Sequence, residues 1–230
     1  MARPETAAEP QGTSKPPNGA DVVATDGRTI GRRAHLTRRR FLDTTLELLE
    51  RNGALDLKVI DIAREAGSST ATFYQYFEHV DAALLALAEE AGAELTEVNE
   101  LARVDWMTPT GLEDIRRFTA TFIEYWDAHK AILRVRNLRS EEGDPRFRAL
   151  RLDANGAILR AFTTKIRAGQ AEGRVSKRLD ASTAAGAMMS VLERMAAFHV
   201  EFERRGVSRR ALIETVSRIV LQTLCGYDPL

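Results

Sequence analysis

The sequence has one cysteine, Cys225. No intrachain disulfide can form and a cysteine-based metal site is excluded; a reducing compartment, the cytoplasm, fits this usage. Long apolar runs are also missing, and no stretch reaches the ~18 residues of a membrane-spanning helix. The opening MARPETAAEPQGTSKPPNG has no apolar segment of the kind a secretory signal carries. No strand-like alternation and no repeat of fixed period occur. GxGxxG, P-loop, HExxH and GxSxG patterns are all absent, so no enzyme chemistry, cofactor or metal is expected. His199 and Glu203 are i, i+4 neighbours, a spacing that suits a helix salt link better than a zinc site. Net charge is missing too: 33 lysines and arginines balance 33 acids.

What the chain does have is unevenly placed charge and helical periodicity. Residues 1–30 hold four of the seven prolines and few large apolar residues, the composition of a disordered arm. Arg28, Arg32, Arg33, Arg38, Arg39 and Arg40 follow, with Asp26 the only acid beside them. Between Phe41 and Glu78 the balance reverses, because Arg51, Lys58 and Arg64 face seven acids. The positive field therefore sits in and just after a basic arm, residues 1–34.

Apolar spacing predicts a first helix over residues 36–52, capped by Thr37 and stopped by Gly53. Asp43, Glu47 and Glu50 form a solvated stripe on it. A long fourth helix is expected over 79–104, with Leu84, Ala88, Ala91, Leu95, Val98 and Ala102 down one side. Residues 105–110 read as a loop. Thr110 and Glu113 form a capping box for a fifth helix, and a further helix over 128–139 follows a break near His129. Asp144-Pro145 opens a seventh helix to about residue 172. Asp180 and Ser208 cap the last two, with Met188, Leu192, Met195, Phe198 and Phe202 expected as the apolar side of the eighth. The fold class is all-α, with about nine helices.

The most informative stretch is 59–78, VIDIAREAGSSTATFYQYFE. Val59, Ile62, Ala63 and Ala66 make one apolar helix face, and Gly67 stands where a left-handed residue ends a helix. Ser68 or Ser69 can cap a second helix, expected over 70–77, in which Phe73 and Phe77 plug a core. This is the shape of a helix-turn-helix. Ser68, Ser69, Thr70, Ala71, Thr72 and Gln75 suit base edges in a major groove: glutamine can pair with adenine, and methyls can meet thymine. Tyr74 and Tyr76 have hydroxyls suited to phosphate, or rings that pack on the first helix. Arg38 and Lys58 are candidate phosphate contacts.

These residues resemble the tetracycline-repressor (TetR) family of bacterial transcription regulators. The family pattern IA..AG.S...lY.yF stands here as Ile62-Ala63, Ala66-Gly67, Ser69, Phe73-Tyr74 and Tyr76-Phe77, and the specific match covers about residues 36–93. Two departures stand out. Leu57-Lys58 replaces the usual capping Ser or Thr before the second helix, leaving Asp56 or water to cap it. Glu78-His79-Val80-Asp81 replaces a segment that often carries a phosphate-binding lysine.

The resemblance implies a helix-turn-helix DNA-binding domain (35–95) and a helical ligand-binding and dimerisation domain (96–230). It implies a homodimer pairing helices 8 and 9, a near-palindromic operator, and release when a small ligand binds. Phe118, Phe122, Trp126, Phe162, Met188, Leu192 and Met195 are large, apolar and spread over several helices; they can pack as core or line an apolar cavity for a hydrophobic ligand. Asn137, Asn155, His129 and His199 are candidate polar anchors. A DNA-binding regulator without ligand control and a small-molecule carrier or enzyme are the competing readings.

Overall fold

The computed structural model describes residues 31–54 and 56–226. Most of the expected arm, with Arg28, lies outside them. Among the described residues all regular structure is helical, in nine segments. They are α1 (Arg32–Asn52), α2 (Val59–Glu65), α3 (Thr70–Tyr74), α4 (Val80–Ala93), α5 (Thr96–Arg103), α6 (Gly111–Glu141), α7 (Pro145–Ala171), α8 (Ala181–Arg204) and α9 (Arg209–Cys225).

The expected number arises through two errors that cancel. The long fourth helix is broken: the amides of Glu94 and Leu95 bond carbonyls three residues back, at Ala91 and Gly92, and a new helix starts at Thr96. The apolar side nevertheless stays inward across the break, with Leu84, Ala88, Ala91, Leu95, Val98 and Ala102 all buried. Conversely, no break occurs at His129, and α6 runs uninterrupted for 31 residues.

Other boundaries also move. α1 begins at Arg32 with Gly31 as N-cap, so Arg32 and Arg33 belong to a helix rather than to an arm ending at residue 34. Thr37 does not cap; its hydroxyl bonds back to the Arg33 carbonyl. The capping box at Thr110 does not form, because that residue is already in helical conformation and its hydroxyl turns to Asp114. Asp144, Asp180 and Ser208 cap α7, α8 and α9 as expected, each accepting a backbone N–H.

Two cores are built. The first joins α1–α4 around Phe41, Leu42, Ile62, Phe73, Phe77 and Leu84, and it also takes Ile132 and Val135 from α6 and Phe147 from α7. The second fills the space among α5–α9. The α6 helix contributes to both, since Trp126 and Leu133 face the second core while Ile132 and Val135 face the first. The segment 105–110, expected as a plain loop, carries the fully buried Trp106, whose ring meets Phe118 at 5.5 Å and Phe162 at 6.0 Å. Gly111 permits this, because a Cβ there would overlap the Trp106 carbonyl.

The inward face of α8 differs from the expected one. Ala185, Met189, Leu192, Ala196 and His199 are buried, whereas Met188 and Met195 are only partly so and Phe198 is 40% exposed. Among the described residues no helix is long and apolar enough to cross a membrane.

Candidate nucleic-acid interface

The α2–α3 turn is fixed by backbone bonds. Gly67 has φ +62, and its amide bonds the Arg64 carbonyl while the Ser68 amide reaches Ala63. This is a Schellman closure, which favours glycine at its left-handed position. Ser69 then caps α3, its hydroxyl accepting the Thr72 amide at 3.1 Å. Of the two candidate caps, Ser69 takes the role and Ser68 does not. At the start of α2 the cap position is Lys58, with no side-chain hydrogen bond, so Asp56 does not cap either.

α3 is shorter than expected and ends at Tyr74; the Gln75 and Tyr76 amides bond carbonyls three residues back. Phe73 and Phe77 remain plugged in the core, Phe73 meeting Phe41 edge-on at 5.3 Å. These two anchors orient the outer surface. Ser69, Thr70, Ala71, Tyr74 and Gln75 are exposed, with Ser68 and Thr72 half-buried beside them. Tyr76 is half-buried against Phe41, at 6.0 Å, and Tyr74 is the more exposed of the two.

The positive charge is thinner than the arginine count suggests. Arg39 is engaged by Asp43 and Glu90 at 2.6 Å each; Asp43 first, then Glu90, hold its guanidinium above the ordinary range. Arg38 lies over the Phe77 ring at 5.1 Å. Arg64 pairs with Asp61 and Arg51 with Glu65. Lys58 and Arg40 are exposed, with no ion pair among the described residues. His79, in the segment where the family often carries a lysine, caps α4: its Nδ1 accepts the Ala82 amide at 3.0 Å. A histidine ring nitrogen accepting at an N-cap was not legible in the sequence, because capping is read from Ser, Thr, Asp and Asn.

Among the described cavities, none is shared by the candidate ligand residues. Phe118 and Phe162 pack against each other and Trp106, and Phe122 stacks on Phe118. Leu192 is buried in the same core, with Met188 and Met195 against it. Of this set, Trp126 lines two of the described cavities, both cleft-like and polar. The polar candidates are placed differently. Asn155 donates to Glu193 at 3.2 Å, while Asn137 accepts from Arg136 and lines the larger cleft. His199 is buried, with Nδ1 at the Ala196 carbonyl and Nε2 facing Asp127. His129 faces Glu94 at 3.1 Å. Among the described residues no group of three or more His, Cys, Asp or Glu could hold a metal ion.

Known proteins agree with this architecture. Residues 41–79 match the model described as bacterial regulatory proteins, tetR family, and residues 97–230 match the tetracyclin repressor-like C-terminal domain. The HTH-type transcriptional regulator EthR of Mycolicibacterium smegmatis is 25% identical over 189 residues, 82% of this chain and 86% of that protein. Salmonella enterica GusR superposes with a TM-score of 0.60 at 16% identity, covering 82% of this chain and 95% of that one. FadR of Bacillus subtilis, solved with stearoyl-CoA, superposes with a TM-score of 0.57 at 16% identity, covering 83% and 99%. A capped helix-turn-helix on one core, a helical domain on the other and family matches over both lead to one conclusion: this chain belongs to the TetR family of transcriptional regulators.

Proposed function

We propose that this regulator is a repressor, a homodimer that holds a near-palindromic operator in the cytoplasm and lets go when a small ligand enters its C-terminal domain. The observation that carries the DNA half is the exposed outer surface of α3 and its two caps. Ser69, Thr70, Ala71 and Gln75 offer hydroxyl, methyl and amide groups to base edges, held in place by Phe73 and Phe77 beneath. Lys58, Arg38 and Tyr74 would meet phosphates, Tyr76 less directly. The arginines of the 1–34 segment would add sequence-independent affinity.

Dimerisation through α8 and α9 is supported by large apolar residues left at the surface there: Val200 on α8 and Ile219 on α9. Coupling is supported by α6. It belongs to both cores, and its Arg139 reaches Asp81 of α4 at 3.2 Å. A ligand that prefers one setting of α6 would shift the spacing of two recognition helices. The apolar Phe118, Phe122, Trp126, Phe162, Met188, Leu192 and Met195 set is, on this reading, mainly core beside the ligand.

The test is fluorescence anisotropy with DNA from upstream of the chain's own gene, with and without an organic-soluble metabolite extract. Binding abolished by extract is expected. Binding indifferent to every extract sinks ligand release, and no binding sinks the operator assignment. Gln75→Ala should relax preference at particular bases, and removing residues 1–34 should lower the salt slope.

A further inference from the structure

A buried charged cluster lies behind the cleft between α6, α7 and α8, and DNA binding gives it no role. Arg136 of α6 is 2% exposed. Its Nη2 reaches Glu193 of α8 at a long 3.4 Å, and its Nη1 has no hydrogen-bond partner. Glu193, 6% exposed, is held more tightly by Arg151 of α7, at 2.5 Å, and by Asn155. Three turns along α6 from Arg136, the Tyr125 hydroxyl is also buried, set against the Arg136 guanidinium. Burial pushes its pKa up to about 12, so it stands as a neutral donor.

In front of Glu193 and Asn137 opens a cleft of about 390 Å³, with Trp126, Leu138 and Phe198 as its apolar surfaces. Its charged walls are Arg134, Arg151 and Arg194 against Glu141 and Glu193. With Arg136 behind, cations exceed acids. A buried guanidinium sharing one carboxylate with a second guanidinium is under-compensated. Water could fill the open donors but would not supply the missing charge.

We propose that this cleft is the ligand site, and that its ligand is a small anion with an apolar body. Its carboxylate is taken by Arg136 and Arg151, with the Tyr125 hydroxyl donating; its body lies on Trp126, Leu138 and Phe198. This rests on the reading of the C-terminal domain as ligand-binding. A cation is disfavoured because Glu193 already accepts three donors. The site also explains the coupling: Arg136 directly follows Val135 of the first core, and one turn further Arg139 holds α4 through Asp81.

The experiment titrates the full chain with 4-phenylbutyrate, 4-phenylbutanol and 4-phenylbutylamine, following tryptophan emission. Trp126 lines the cleft, and Trp106, the only other tryptophan, is fully buried. The carboxylate should bind at least about tenfold more tightly than the alcohol, the difference expected of one charge-assisted hydrogen bond, and the amine should bind weakest. Tyr125→Phe should weaken the carboxylate about fivefold while leaving the amine unchanged. Ser190→Trp, filling the mouth from an exposed position, should abolish binding. Equal or tighter binding of alcohol or amine overturns the proposal, as does no carboxylate binding or an indifferent Ser190→Trp. Emission needs no DNA: carboxylate binding that leaves DNA affinity unchanged supports this site and overturns ligand release alone.

Discussion

Replacing Glu193 with leucine should be among the costliest single changes in the chain. Among the described residues, Glu193 is the only acid in hydrogen-bond contact with Arg136, which is 2% exposed and whose pKa is lowered, chiefly by burial. Leucine fills similar space but leaves that guanidinium in a low-dielectric setting without its acceptor. Breaking a buried pair this way costs about 3–5 kcal/mol. For a chain of this size that corresponds to a fall in Tm of about 6–20 °C. Arg136→Met should cost less, because Glu193 keeps Arg151 and Asn155. The double change Arg136→Met with Glu193→Leu should recover at least half the loss, since neither charge is then stranded. Urea titration followed by tryptophan emission and far-ultraviolet circular dichroism measures all three; urea leaves ion pairs unscreened. The reasoning fails if Glu193→Leu loses under ~1 kcal/mol, or if the double variant is no more stable than Glu193→Leu.

Three further outcomes are expected. Ser69→Ala and His79→Ala each remove an N-cap and should cost about 1 kcal/mol, while His79→Ser should cost little; urea midpoints give both, and anisotropy should show the larger DNA defect for Ser69→Ala. Gly111→Ala places a methyl against the Trp106 carbonyl and should destabilise by about 1–3 kcal/mol, with a blue- or red-shifted tryptophan emission as that ring moves; unchanged stability and emission would refute the packing argument. The Glu214 carboxyl is held by Arg116 first and Arg218 next, from an ordinary 4.5 down to about 2. A depressed folded pKa stabilises above the ordinary value and is lost as pH falls from about 4.5 toward about 2. The Tm difference between the parent and Glu214→Gln should shrink across that window; a constant difference contradicts it.

The helix-turn-helix was legible because its signals are local. Ile62, Ala63 and Ala66 repeat at helical spacing, Gly67 needs a left-handed backbone, and Ser69 caps α3. Each depends on neighbours within one or two turns. The same holds for Asp144, Asp180 and Ser208. Capping character alone did not decide: Thr37 lies inside α1, and Thr110 stands at the N-cap of α6 but makes no side-chain cap bond. The break at Glu94 and the continuity through His129 carried no clear punctuation.

The sequence by itself thus determined the all-α class, the motif at 59–78 and the caps of α3, α7, α8 and α9, because periodicity and capping are properties of adjacent residues. Only the tertiary structure decided which large apolar residues are filler and which charges are sunk. Phe118 and Phe162 close around Trp106 from a segment that read as loop. Arg136, one arginine among many in the sequence, is buried against Glu193 from 57 residues away. Burial and pairing across such separations depend on where whole helices lie, and no window of sequence encodes that.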